Sequence, residues 1–274
     1  MLATAIIVFR EVIEAALVIS VVMAASRGVA GREWWVWGGV GGGIFAACVV
    51  AAFAETLAEA ASGIGQELFN AFVLFTAVAM LGWHNIWMQR HGRALAQEMT
   101  RVGKAVLSGE RPLYALAIVV GLAVLREGSE VVLFLYGIAS AGENQTASMV
   151  TGGMIGILLG TGVGLAMYYG LLRIPTRHLF KVTSWLILFL AAGLASQGAA
   201  YLVQADLLPP LGREVWNTSN WLSEDSLIGQ VLHTLVGYVS RPDGVQILFY
   251  LATLVIIAIL MRVFGDRSAQ SVGH

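Results

Sequence analysis

Seven apolar runs, each long enough to cross a bilayer as a helix, occupy most of this chain. A hydrocarbon core of about 30 Å requires roughly 20 apolar residues at helical rise. The runs leave no stretch for a soluble domain, so we expect a single membrane domain over residues 1–274. The predicted spans are residues 2–26, 35–57, 67–89, 112–140, 148–172, 180–203 and 245–264.

The balance of apolar and charged residues indicates the same fold class. Hydrophobic residues make up 58% of the chain and charged residues 12%, whereas soluble domains carry about 25% charged residues. The net charge of −1 and the lack of a basic tail argue against nucleic-acid binding. We therefore predict an all-α, multi-pass membrane protein.

The distribution of Lys and Arg predicts the orientation of the spans. Twelve of these residues fall in connections on one side of the membrane, and only Arg213 and Arg241 fall on the other side. Cytoplasmic loops carry the excess of positive charge. The N-terminus is therefore expected outside and the C-terminus in the cytoplasm.

The first and fourth predicted spans each contain three charged residues. The first span reads R-E-V-I-E at residues 10–14, and the fourth reads R-E-G-S-E at residues 126–130. Ionisable residues inside a membrane helix are costly and rare, so they indicate a functional site. We interpret the two R-E-x-x-E motifs as the two halves of one intramembrane cation site.

The spacing within each motif predicts how its side chains are arranged. The two glutamates lie three residues apart, on one helix face, and the arginine precedes the second glutamate by four residues, as in a helical ion pair. If the two helices cross at the membrane midplane, the cluster has a formal charge of −2 and takes up protons or holds a cation. The alternative is an ion-pair network that only joins the helices, which is a poor stabiliser. The predicted metal ligands are Glu11, Glu14, Glu127 and Glu130, with Arg10 and Arg126 as charge-balancing residues.

The two motifs enter the membrane from opposite sides in this topology, which predicts an inverted repeat. Spans 1–3 and spans 4–6 would form a 3+3 repeat, with the seventh helix outside it, and transporter sites lie at such repeat interfaces. The second and fifth spans are both glycine-rich. We interpret these glycines as sites of close helix packing.

A carboxylate cage without Cys or His suits hard cations and disfavours copper(I) and zinc. Fe³⁺ is the hard, highly charged candidate, while calcium, magnesium and manganese also fit this ligand type. Three further glutamates, Glu55, Glu59 and Glu67, are candidates for an outer patch that collects cations. On the third span we interpret His84, Met80 and Met88 as core residues rather than ligands.

One outer connection, residues 204–244, contains a further helical pattern. Its apolar residues recur at helical spacing between residues 227 and 236, which predicts a short amphipathic helix at the outer interface. Trp216 and Trp221 in this connection are interpreted as interfacial anchors.

The chain resembles the family of oxidase-dependent ferric iron permeases, which includes fungal high-affinity and bacterial Efe-type members. The resemblance rests on both R-E-x-x-E motifs, on the seven spans, and on the region from Leu190 to Tyr250, including L-A-A-G-L-A-S-Q-G-A-A-Y-L and W-N-T-S. Two positions depart from the family pattern. Asn70 replaces the second glutamate of an E-x-x-E at the start of helix 3, and Asn217 replaces the aspartate of W-D-T-S.

The resemblance implies inward transport of iron as Fe³⁺ across the cytoplasmic (inner) membrane, with the four motif glutamates handling the ion. It also implies an extracytoplasmic partner that oxidises or delivers iron. We expect no enzymatic activity, no catalytic residues and no permanently bound cofactor. The alternatives are a permease for ferrous iron, lead or another divalent ion, and an intramembrane carboxylate–metal enzyme. Such enzymes use E-x-x-H pairs, and neither motif contains a histidine.

Overall fold

A computed structural model describes residues 1–61, 65–140, 146–169, 176–224 and 226–265. Over these ranges the chain is helical, with turns and irregular connections and no strand. The helices are α1 (Leu2–Ala25), α2 (Arg32–Ala61), α3 (Gln66–Leu107), α4 (Tyr114–Ser140), α5 (Thr146–Tyr168), α6 (Thr176–Gln204), α7 (Leu227–Val236) and α8 (Gly244–Gly265).

Each predicted span coincides with one long helix. Within the described part of the chain, five helices contain a stretch that is long and apolar enough to cross a membrane: Arg32–Phe53, Gln66–Met88, Thr146–Tyr168, Lys181–Gln204 and Gly244–Val263. Helices α1 and α4 have similar lengths, but each carries the three charges of its motif. The all-α membrane fold is confirmed, whereas the number of spans and their orientation stay predictions.

Helix α3 is much longer than the predicted span of residues 67–89. It has 42 residues and therefore measures about 63 Å, twice the thickness of a bilayer core. Its C-terminal part packs against the end of α1, where a Cβ on Gly103 would lie 2.5 Å from the Ala25 Cβ. Met99 and Val106 join Val22 and Val120 in an apolar cluster at this end of the bundle.

Helix α5 packs closely along α1 through a row of glycines. Gly152, Gly156, Gly160 and Gly164 are all buried. A Cβ on Gly156 would lie 2.8 Å from the Val8 Cβ, and one on Gly164 would lie 2.5 Å from the Ala16 Cβ. Because contacts later in α5 involve residues later in α1, the two helices run parallel.

Helices α2 and α4 pack against each other through glycines in the same way as α5 and α1. A Cβ on Gly43 would lie 2.7 Å from the Val124 Cβ, and one on Gly128 would lie 2.7 Å from the Ala47 Cβ. Val8 and Val124 both stand two residues before the arginine of their motif. Gly156 therefore faces Val8 in the same way that Gly43 faces Val124.

The directions of α1, α4, α6 and α8 relative to α3 follow from pairs of contacts at two points along α3. These contacts are Phe75 with Phe249 and Gly198, Asn85 with Met261 and Ser184, His84 with Glu14, Gly103 with Ala25, Ala77 with Gly137, and Trp87 with Arg126. Helices α1, α3, α5 and α8 consequently run in one direction, and α2, α4 and α6 run in the other. Successive long helices thus alternate in direction along the chain.

The glycine row predicts a clear difference between two substitutions on α5. Gly156→Leu places a side chain against the backbone of α1, where a Cβ would already lie 2.8 Å from Ala5 O, and overpacking typically costs about 1–3 kcal/mol. Gly162 has no heavy atom within 4 Å of its Cβ position. We expect a lower melting midpoint for Gly156→Leu in detergent and an unchanged midpoint for Gly162→Leu. Equal midpoints would contradict this account of the interface.

Candidate intramembrane cation site

The first motif lies on the buried face of α1. Arg10 is 2% exposed and Glu11 is 1% exposed. Arg10 Nη1 donates a hydrogen bond of 3.2 Å to Glu11 Oε1, and Arg10 Nε lies 3.1 Å from Glu14 Oε1. The predicted i,i+4 ion pair is therefore confirmed, and one guanidinium serves both carboxylates.

The second motif, on α4, is partly exposed at Arg126 and Glu130, whereas its Glu127 is buried. Arg126 Nε donates to Glu130 Oε1 at 3.2 Å, which confirms the second predicted ion pair. The Arg126 guanidinium carbon also lies 3.9 Å from the centre of a Trp87 ring, the geometry of a cation–π contact. The Arg126 side chain is 33% exposed and that of Glu130 is 15% exposed. The two motifs thus match in sequence but differ in accessibility.

His84 of α3 connects the two motifs. Its Nδ1 contacts Glu130 Oε2, and its Nε2 lies 3.5 Å from Glu14 Oε2 and 3.8 Å from Glu11 Oε2. The imidazole is 3% exposed, with its ring edge-on to Phe134. A buried histidine thereby contacts carboxylates from both halves of the predicted repeat.

Four side chains converge closely enough to share one metal ion. One ligand atom from each of Glu11, His84, Glu127 and Glu130 lies within 4.8 Å of the other three. Among the described residues, Oε2 of Glu11, Glu14 and Glu127 accepts no hydrogen bond, although all three atoms are buried. Carboxylate oxygens that face one another without a donor require a cation or a proton between them. All four predicted glutamates meet at this place, and Glu14 stands beside the four-residue group.

The donor set corrects the expectation of a cage without histidine. The sequence pattern favours a core position for His84, whereas in the structure its side chain belongs to the cluster. Carboxylates suit hard cations, while imidazole also suits iron, zinc, copper and nickel. A set of three carboxylates and one imidazole therefore fits iron. The sequence does contain one indication of this role, because His84 is an ionisable residue within the apolar run of the third span, and such residues often mark functional sites.

A cavity of about 810 Å³ lies beside the cluster, between α3 and α4. Its α4 wall consists of Arg126 and Glu130, whereas no residue of α1 is among the described residues that line it. Its α3 wall is mostly apolar and consists of Phe72, Phe75, Thr76, Ala79, Met80, Trp83, His84 and Trp87. The cavity thus reaches the cluster only from the side of the second motif.

The other predicted residues lie away from the cluster or outside the described side chains. Glu67 is exposed in the first turn of α3. Glu55 and Glu59 belong to α2, but their side chains fall outside the described part of the chain. Asn217, in the connection before α7, accepts hydrogen bonds from the backbone N–H and the hydroxyl of Ser219. The predicted amphipathic helix is confirmed as α7, which Ser226 caps through a hydrogen bond from Gly229 N–H.

Comparisons with known proteins point to iron permeases. The chain is 30% identical over 260 residues to a protein of Yersinia pestis named ferrous iron permease EfeU, covering 93% of this chain and 90% of that protein. It is 29% identical over 275 residues to proteins of the same name from Escherichia coli O6:K15:H31 and Shigella sonnei, covering 97% of this chain and 98% of each relative. No solved structure matches the chain.

The profile of one protein family matches almost the whole sequence, from residue 1 to residue 267. This family is described as the iron permease FTR1 family. Together with the apolar helices, the match makes the chain a multi-pass membrane protein, in the cytoplasmic membrane as expected. The chain belongs to the iron permease FTR1 family.

Proposed function

We propose that this chain carries iron inward across the cytoplasmic membrane through the cluster of Glu11, Glu14, His84, Glu127 and Glu130. The observation that carries this proposal is that ligand atoms of Glu11, His84, Glu127 and Glu130, the first three of them buried residues, lie within 4.8 Å of one another. Membership of an iron permease family supports iron as the cargo. The ion is a substrate that passes through, and the chain acts as a permease rather than as an enzyme.

The proposed topology has seven spans, formed by α1 to α6 and α8, with the N-terminus outside and the C-terminus in the cytoplasm. Alternating helix directions and the excess of Lys and Arg on one side support it. The matching packing of α5 on α1 and of α2 on α4 supports a 3+3 inverted repeat with α8 outside it. The cluster would then lie at the repeat interface near the membrane midplane, where substrate sites of such transporters are found.

The membrane potential supplies a driving force for inward movement. An inside-negative potential favours the entrance of a cation by about 2.3 kcal/mol per charge for each 100 mV. Three charges correspond to about 7 kcal/mol and two charges to about 5 kcal/mol. Iron uptake through this site therefore requires no nucleotide, and the sequence contains no P-loop.

The oxidation state of the ion has two candidates. The family resemblance implies Fe³⁺. Fe²⁺ is the second candidate, because imidazole is a softer ligand than carboxylate and the formal charge of −2 on the motif residues balances a divalent ion. The name of the relatives, ferrous iron permease, also supports Fe²⁺.

Uptake of radioactive iron tests both the function and the ion. A host that lacks its own iron uptake would produce the chain and receive ⁵⁵Fe either with ascorbate or as ferric citrate with an impermeant Fe²⁺ chelator. Uptake only under the second condition identifies Fe³⁺, and uptake only with ascorbate identifies Fe²⁺. Competition by an excess of Mn²⁺, Zn²⁺ or Pb²⁺ then separates an iron permease from a permease for another metal. No uptake above the empty host under either condition would refute the proposal.

An intramembrane carboxylate–metal enzyme is the rival from another class. His84 adds the imidazole that such sites contain, but it comes from a third helix rather than from an E-x-x-H pair. A stable two-iron centre that cycles between oxidation states in the purified protein would favour the enzyme. The proposed partner, an extracytoplasmic protein that oxidises or binds iron, would act before the ion reaches this chain.

A further inference from the structure

We propose that the cavity between α3 and α4 is a water-filled vestibule through which the cation reaches Glu130 and His84 before it reaches the carboxylates of α1. This inference rests on the proposed iron transport and adds the side and the order of approach. It assigns a role to the α3 face that runs from Phe72 to Trp83, which carries none of the motif residues.

The position of the cavity along α3 gives the side from which the ion comes. Of the α3 residues that line it, all except His84 and Trp87 precede the cluster in sequence, beginning with Phe72. The cavity therefore extends from the cluster toward the N-terminal end of α3. In the proposed topology this end of α3 faces the outside of the cell.

The difference in exposure between the two motifs gives the order of contact. Glu130 and Arg126 line the cavity and are partly exposed, whereas Arg10 and Glu11 are almost fully buried. His84 contacts Glu130 through Nδ1 and faces Glu14 through Nε2. The imidazole therefore lies between the accessible carboxylate of Glu130 and the enclosed carboxylate of Glu14, and an incoming ion meets Glu130 before the carboxylates of α1.

The charges in the wall indicate water rather than lipid as the content of the cavity. A guanidinium that is one-third exposed near the middle of a membrane helix is costly in hydrocarbon. Water removes this cost, and a cavity of about 810 Å³ has room for a hydrated ion. Phe72, Phe75 and Trp83 line the cavity, and aromatic rings attract cations, so a mostly apolar wall remains compatible with a cation route.

Cysteine accessibility tests the vestibule directly. Cys48 is the single cysteine of the chain, so Cys48→Ser provides the background. Thr76→Cys and Ala79→Cys then place a thiol in the cavity wall, and Ile157→Cys places one at an exposed apolar position near the middle of α5 as the matched control. A charged, membrane-impermeant methanethiosulfonate is added to intact cells. It reacts with thiolates, which form only where water reaches the sulfur.

We expect both cavity cysteines to react at least about tenfold faster than the cysteine at position 157. Labelling of Ala79→Cys should then lower ⁵⁵Fe uptake at least about tenfold, while reagent-treated Ile157→Cys cells take up iron normally. Reaction at positions 76 and 79 no faster than at 157 would mean that lipid or another protein fills the cavity, and would overturn the proposal. Complete labelling of both cavity positions without loss of uptake would also overturn it. If the unlabelled Cys48→Ser chain carries no iron, the proposed transport fails, while the labelling rates still decide whether water fills the cavity.

Discussion

Iron uptake is expected to fall more than about 100-fold when Glu11→Gln and Glu127→Gln are combined, because this double substitution removes two ligands of the proposed site. Changes that only reorient metal ligands already cost about 10–100-fold. Both carboxylates belong to the four-residue group, and each has a buried oxygen that accepts no hydrogen bond. Glutamine keeps the volume of the side chain and removes the charge, so the measured quantity, ⁵⁵Fe uptake per amount of protein in the membrane, reports on the site.

The controls separate loss of the site from loss of the fold. Arg10 is held by Glu11 and Glu14, and breaking a buried charge pair destabilises a protein. The double variant therefore has to elute as wild type does in size-exclusion chromatography before its uptake is interpreted. Glu98→Gln, at an exposed position on α3, is expected to leave uptake unchanged. Glu14→Ala with Glu130→Ala is a second pair, and wild-type uptake in either double variant would refute the site assignment.

Replacement of His84 by Gln is expected to lower iron uptake about 10–100-fold, the range found when metal sites lose a supporting residue. The imidazole contacts Glu130 on α4 and faces Glu11 and Glu14 on α1, so the substitution removes the side chain that bridges the two motifs. Glutamine retains one hydrogen-bond donor and one acceptor, which limits the structural damage. Uptake is measured for each variant at equal amounts of protein in the membrane.

A spectroscopic measurement distinguishes a ligand from a residue that only supports the helices. Purified protein loaded with one equivalent of Cu²⁺ should show imidazole nitrogen coupling in pulsed electron paramagnetic resonance, and His84→Gln should lose it. His233→Gln is the matched control, because its ring contacts the Tyr238 carbonyl outside the cluster. Unchanged nitrogen coupling in His84→Gln would assign His84 to packing alone.

Local sequence patterns were sufficient to predict the helices and the geometry inside each motif. The apolar runs predict seven long helices, and most of the predicted ends lie within a few residues of the observed ends. The agreement arises because a helix that crosses hydrocarbon needs a minimum apolar length. The i,i+4 rule predicted that Arg10 pairs with Glu14 and Arg126 with Glu130, since helix geometry alone decides these contacts. The apolar pattern does not predict the extension of α3 to Leu107. The pattern ends at the membrane surface, whereas a helix can continue into water.

The contacts between helices were much harder to predict. His84 lies 70 residues from Glu14 and 46 residues from Glu130 in sequence, and no local pattern connects them. A single histidine in an apolar run is compatible with a core position and with a ligand. Only the packing of α3 against both α1 and α4 decides between the two. The unequal exposure of the two motifs likewise depends on packing, since their sequences are almost the same.

The glycine-lined interfaces also determine when each helix meets its packing partner during synthesis of the chain. Helix α1 packs on α5, and α2 packs on α4, so each interface joins helices from different halves of the chain. About 120 residues separate the end of α1 from the start of α5, which corresponds to roughly 6–24 s of synthesis at about 5–20 residues per second. In the proposed topology, α1 stays in the membrane during this interval without α5, with Arg10, Glu11 and Glu14 in its middle. A helix that carries three charged residues in its middle is therefore synthesised first, and it receives its partner only after synthesis has passed into the second half.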